Sequence, residues 1–197
     1  MSRDFEIVAA ERIQREQTNH ERLAAAVEYV ARKFKETKER SRGAVKLNKV
    51  LWWADTESHR RRGFSITGSE YQRLREGPVP HQLPVVRGRL EAEGRVRRVL
   101  RHVGAPNPEH SLEVLVDDEP TTLDQGDRDL LDEAIVFFRG QTGRAASDWS
   151  HKKSAGWQVL EDGDLIPHSS WLVDVDEFGL QPSHSAREVE QMLRDNS

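Results

Sequence analysis

The chain has 197 residues, of which 36% are hydrophobic and 32% charged; its net charge is −4 and it has no cysteine. That suits a globular domain with a modest core, alone or with an appendage. It excludes disulfides, thiolate zinc sites and cysteine nucleophiles, and no apolar run approaches the roughly 20 residues of a membrane span. Arg3, Asp4, Glu6, Glu11 and Arg12 interrupt the N-terminal region, so it does not read as a signal segment, and a cytoplasmic location is expected.

The net charge hides an asymmetry. Residues 1–31 hold 4 basic and 6 acidic side chains, residues 32–102 hold 19 and 8, and residues 103–197 hold 7 and 20. Either these segments pack against one another or the basic one faces a partner; internal packing is the preferred reading.

In chain order, residues 4–17 have weak helical character. Asn19 is a plausible N-cap, and Leu23, Val27, Val30 and Phe34 form an apolar stripe at helical spacing. The polar run 35–42 carries that helix to a stop at Gly43. A second helix spans 45–62 and stops at Gly63. Leu47, Val50, Leu51 and Ala54 share one face, Trp52 and Trp53 flank it, and so wide an apolar surface places this helix centrally and buried. Residues 64–77 read as irregular, with a turn at 66–68 and a short strand at 71–75. Gly77-Pro78-Val79-Pro80 reads as a rigid extended turn.

Pro84 fits the first turn of a third helix with inner residues Val85, Val86 and Leu90, ended by Gly94. Residues 96–103 and 112–116 form a hairpin across a Gly-Ala-Pro-Asn-Pro loop. Asp124 caps a helix with Leu130, Leu131, Ala134, Ile135 and Phe138 inside. A short helix covers 145–151. Residues 157–160 and 165–167 flank Asp162-Gly163 as a tight hairpin, and Ser185 with Glu188 forms a capping box for a terminal helix. The fold class expected is α+β, mainly helical, around a buried central helix with small antiparallel β-hairpins.

The short motifs of phosphate loops, dinucleotide folds, zinc proteases and serine hydrolases are missing. Asn48, Trp52, Asp55 and His59 fall on one flank of the central helix, where His81 or His151 could complete a metal site. A local polar contact explains the Asp55–His59 spacing more simply. No catalytic residue, metal or cofactor is expected. Arg60-Arg61-Arg62 and the strand arginines Arg95, Arg97, Arg98 and Arg101 permit a phosphate-following stripe. The acidic balance and the lack of a recognition helix weigh against nucleic acid. Of the five tryptophans, Trp53 is the candidate exposed anchor, since Trp and Arg dominate interface hot spots. It shares a flank with Lys46, Lys49, Glu57 and Arg60.

Four pieces in order carry a family resemblance: Lys46-Leu47-Asn48-Lys49-Val50-Leu51-Trp52-Trp53-Ala54-Asp55; Ser65-Ile66-Thr67-Gly68 with Tyr71; Gly77-Pro78-Val79-Pro80; and Ser150-His151 with Gly156-Trp157 and Ile166-Pro167. The pattern resembles the Panacea domain, the SocA-like antitoxin family often met beside phage-associated and toxin genes, over roughly residues 43–173. The aromatic pair Trp52-Trp53 departs from the smaller aromatics more usual there. The resemblance implies an antitoxin that neutralises a protein toxin encoded by a neighbouring gene by direct binding, in some relatives as an adaptor to a protease. It implies no catalytic residues. Lys46, Leu47, Asp55, Gly77, Pro78, Pro80, His151, Gly156 and Trp157 match the signature and read as fold-defining. Trp53, Lys49, Arg60, Arg97 and Arg101 are the expected partner-binding set. Residues 1–42 are expected as a helical extension, 43–173 as the antitoxin domain and 174–197 as a tail with a short helix. A homo-oligomer is compatible with the sequence, and a DNA- or RNA-binding regulator is the alternative function.

Overall fold

A computed structural model describes residues 20–103, 108–173 and 175. The expected helix at 4–17, the Asn19 cap and the terminal capping box at Ser185 lie outside these residues.

Helix α1, His20–Glu36, buries Leu23, Val27, Val30 and Phe34 as their spacing requires. It ends well before Gly43. Lys38 takes a left-handed φ of 53° and the Glu39 N–H turns back to the Phe34 carbonyl at 2.9 Å, closing the helix end. Gly43 instead caps the next helix in extended conformation and bridges to Ser111. Helix α2, Ala44–Arg62, stops at Gly63 (φ 79°), whose N–H donates to the His59 carbonyl. It is buried on nearly every side, polar residues included.

Strand β1, Tyr71–Leu74, pairs antiparallel with β2, Gly77–Pro80. The Gly-Pro segment is therefore an edge strand, not only a turn; Pro78 and Pro80 are tolerated because an edge strand need not donate on its outer side. Helix α3, Leu83–Ala92, carries Pro84 in its first turn and buries Leu83, Val86 and Leu90. Val85, expected inside, is 59% exposed. Strands β3, Val96–Arg101, and β4, Glu109–Val114, form the expected long-loop hairpin.

Helix α4, Gln125–Phe137, opens with a reciprocal Asp124–Asp127 capping box. Thr142 caps α5, Gly143–Lys153, and Ser154 caps the short α6, Ala155–Val159. The tight hairpin expected around Asp162-Gly163 does not form. Most of its first arm is α6, and its second, β5 (Leu165–Ile166), pairs with β1. Backbone bonds from Arg73 to Asp164 and from Gly163 to Arg73 draw this segment onto β1. A 3₁₀ turn, His168–Leu172, follows.

The fold is thus α+β and mainly helical, with a three-stranded sheet ordered β2-β1-β5 and the β3-β4 ribbon. One large apolar cluster joins α1, α2, α3, α4 and the ribbon; a smaller one joins Trp52, Tyr71, Ile166 and Trp171. The charge asymmetry is largely spent between elements. Asp127, buried at the start of α4, receives Arg22 (2.6 Å) and Arg62 (2.8 Å), and buried Glu28 receives Arg95 at 2.7 Å.

Asp55 ties α2 to the chain that follows it. One carboxylate oxygen accepts the Thr67 N–H (2.9 Å); the other accepts the Thr67 hydroxyl and the Tyr71 hydroxyl (2.9 Å). Burial raises its pKa, and these bonds oppose the rise. Asp55→Ala orphans three buried donors, and a loss of about 3 kcal/mol in urea-unfolding free energy is expected; a loss under about 1 kcal/mol would show the latch to be unimportant.

Candidate tryptophan pocket on the central helix

The i, i+4 and i+8 positions of a helix share a face. On α2 these are Trp52, Thr56 and Arg60, with Trp53 and Glu57 beside them. Trp149 and Lys153 of α5 face them, Val173 and Val175 close the end, and the space enclosed is about 180 Å³. The walls are aromatic and interlocked. Trp52 meets Trp149 edge-on at 5.9 Å, Trp53 stacks on Phe137 at 5.7 Å, and Trp149 packs edge-on against Phe137 and Phe138. Such contacts fix ring orientation beyond what area burial does.

The rim is charged and held. Arg60 Nε donates to the Trp171 carbonyl at 2.8 Å and its Nη1 to Glu57 at 3.3 Å. Arg61 joins Glu57 to Glu133 and lies 6.0 Å over the Trp53 ring. Two polar atoms in the pocket walls stand out. Trp52 Nε1 and Thr56 Oγ1 are buried with no hydrogen-bond partner among the described residues, the side chains being 3% and 5% exposed. Buried polar groups are rarely left so.

The expected partner-binding residues scatter. Arg60 is exposed on the pocket rim. Trp53 is half-buried in its stack, not the exposed anchor that was expected. Lys49 is a clear correction: it is fully buried and donates to the Pro78 carbonyl at 3.0 Å. The flank it shares with Trp53 on a helical wheel is covered by β2 and α5. Arg97 and Arg101 lie on β3, paired with Glu113 (2.7 Å) and Glu109 (3.4 Å).

The signature residues pack around the same helix. Lys46 is buried against Glu39 (3.0 Å) and donates to the Gln141 carbonyl; burial lowers its pKa and Glu39 opposes this. Leu47 belongs to the large core cluster, and Pro80 pairs with Tyr71. Gly77 has φ +100°, and a Cβ there would lie 2.5 Å from Ser150 Oγ and 2.7 Å from Lys49 Nζ. At Gly156 a Cβ would meet Ile166 Cγ2 at 2.6 Å. His151 stacks flat on Trp157 at 3.6 Å, and Trp157 Nε1 donates to the Leu74 carbonyl. Burial first, then Lys49, lowers the His151 pKa.

The Asn48–Trp52–Asp55–His59 flank does not converge on a reaction centre. Asp55 is engaged by Thr67 and Tyr71, while His59 packs against the rings of His168 and Trp171. His151, one of the two histidines proposed to complete a metal site, is stacked on Trp157. No cluster of three or more metal-binding side chains occurs among the described residues. Sequence reasoning missed Thr56, Lys153, Val173 and Val175. Thr56 alone had a signal, its i+4 spacing from Trp52.

A family model described as "Antitoxin SocA-like, Panacea domain" matches residues 47–158. That span, from within α2 to within α6, is more than half of the chain, and the protein belongs to this family. No curated protein and no solved structure matches it. Among the described residues no helix is long and apolar enough to cross a membrane.

Burial brings the Lys49 pKa down to about 7, with Glu76 opposing, against an ordinary value of about 10.4. Between those values the unfolded chain carries a proton that the fold does not, so stability rises with pH across that window and levels off below about 7. The urea-unfolding free energy is expected to climb from pH 7 to pH 9 by roughly 1 kcal/mol per pH unit. Lys49→Met is expected to flatten the climb; an equal slope in that variant would place the titration elsewhere. Gly77→Ala is expected to lose about 3 kcal/mol through its backbone angle and the two close contacts, read by thermal melting.

Proposed function

We propose that this protein is a cytoplasmic, non-enzymatic antitoxin that neutralises a protein toxin encoded by a neighbouring gene through direct binding. The tryptophan pocket is the observation that carries this reading. It offers three indole walls and a held arginine rim, the composition of an interface hot spot. A partner side chain seated there would exclude water from the indole walls and meet the Arg60 guanidinium on the rim. Family membership supports the toxin as partner. Sequestration needs only such an interface; delivery to a protease would use the same contact and a second surface.

The nucleic-acid alternative has weaker support. Arg97, Arg98 and Arg101 of β3 are paired with Glu113, Glu91 and Glu109. A phosphate backbone would have to displace those carboxylates.

The neighbouring gene's product, expressed alone, is expected to arrest growth, and co-expression with this chain to restore it. A harmless neighbour would contradict the proposal. Arg60→Ala removes the exposed guanidinium of the rim, and co-purification with the toxin is expected to fall about tenfold, as loss of one charge-assisted interfacial contact allows. Trp53→Ala is expected to abolish rescue. If both variants protect like the wild type, the pocket is not the toxin contact.

A further inference from the structure

A second recess, of about 180 Å³, lies where the end of α1, the loop before α2 and the β3-β4 ribbon meet. Lys35, Arg42 and Arg101 bring three cations to it from three separate elements. Val99 and Leu112 supply an apolar floor, and Glu113 is the single carboxylate in the lining.

The recess is built rather than incidental. Glu109 clamps the loop to the ribbon, accepting the Arg42 backbone N–H at 2.9 Å and the Ser41 hydroxyl at 3.0 Å, with Arg101 at 3.4 Å. The Gly43–Ser111 bridge closes the same junction. Arg42 cannot swing its backbone away without breaking these bonds.

The charges do not balance. Glu113 is held by Arg97 at 2.7 Å, and Glu109 is taken up by Arg101 and the loop. Among the described residues Lys35 Nζ and the Arg42 guanidinium make no ion pair of their own; with Arg97 and Arg101 they set four cations against Glu109 and Glu113, an excess of positive charge at one recess. Burial, then the neighbouring Arg101, lower the Arg42 pKa, and Glu113 and Glu109 only partly oppose them.

We propose that this recess binds a phosphate monoester, whose dianionic group sits among Lys35, Arg42 and Arg101 and whose organic part rests on Val99 and Leu112. A single carboxylate would bring one charge, while a phosphate monoester at neutral pH brings nearly two. The guanidinium fork matches two phosphate oxygens, and an ammonium adds a point charge beside it. Lys35 and Arg42 precede the span matched by the family model. Val99, Arg101, Leu112 and Glu113 lie within it, so the recess joins the family domain to the helix before it, and it does not depend on the tryptophan pocket.

The test is thermal melting and calorimetric titration of the full chain with orthophosphate and with 5′-AMP, each against sodium chloride at equal ionic strength and pH 7.5. Both phosphates are expected to raise Tm by a few degrees at millimolar concentration, with 5′-AMP binding more tightly through its contact with the floor. In the double variant Lys35→Gln, Arg42→Gln the ligand-free Tm should equal or exceed that of the wild type, because two repelling charges are gone. Its phosphate response should vanish. Should that variant not fold, Lys35→Gln alone, at an exposed helix end, is expected to weaken binding about tenfold, one charge-assisted contact. The proposal is overturned if neither phosphate acts beyond chloride, if the variants respond like the wild type, or if a hexaglutamate peptide stabilises the chain while phosphate does not.

Discussion

A helix buried on nearly every side can carry ionisable side chains only if each finds a hydrogen-bond partner. Helix α2 meets that condition three times. Lys46 reaches the Gln141 carbonyl and Glu39, Lys49 the Pro78 carbonyl, and Asp55 the Thr67 and Tyr71 donors. Each bond pins a separate stretch of chain: the α4–α5 turn, strand β2 and the segment into β1. The polar side chains of α2 thus decide where its neighbours sit, while the apolar ones supply the bulk of the favourable burial.

That arrangement also explains why the glycines and prolines of the signature cluster around one helix. Lys49 and Ser150 fill the space that a side chain on residue 77 would need. The Lys49 Nζ is thereby held against the edge strand, where it donates to the Pro78 carbonyl. The same packing sets α5 beside α2 and so brings Trp149 opposite Trp52. The tryptophan pocket is a by-product of the core geometry, bounded by side chains that the core already holds in place.

Charge behaves differently in the two recesses. Around the tryptophan pocket, Arg60, Arg61, Glu57 and Glu133 form a closed set of pairs. At the ribbon, pairing runs short and leaves Lys35 and Arg42 in excess. Elsewhere the basic middle segment is absorbed by the acidic one and by the acidic residues of α1, with Asp127 and Glu28 as the buried acceptors. The long-range asymmetry of the sequence was therefore mostly an instruction for packing, with a small remainder at the surface.

The boundaries of α2, the proline start of α3, the Asp124 cap and the long-loop ribbon were legible in the sequence, since each rests on backbone preferences that act within a few residues. The family was legible too, because its signature is an ordered set of such local features. What the sequence left open depends on partners far along the chain. Gly77–Pro80 becomes a strand because β1 lies beside it, and β5 leaves its expected hairpin for the other edge of β1. Lys49 and Trp53 share a flank on a helical wheel, yet β2 and α5 cover one while Phe137 only half-covers the other. A helical wheel records direction about an axis; burial depends on what else arrives there, and that was decided by the tertiary structure alone.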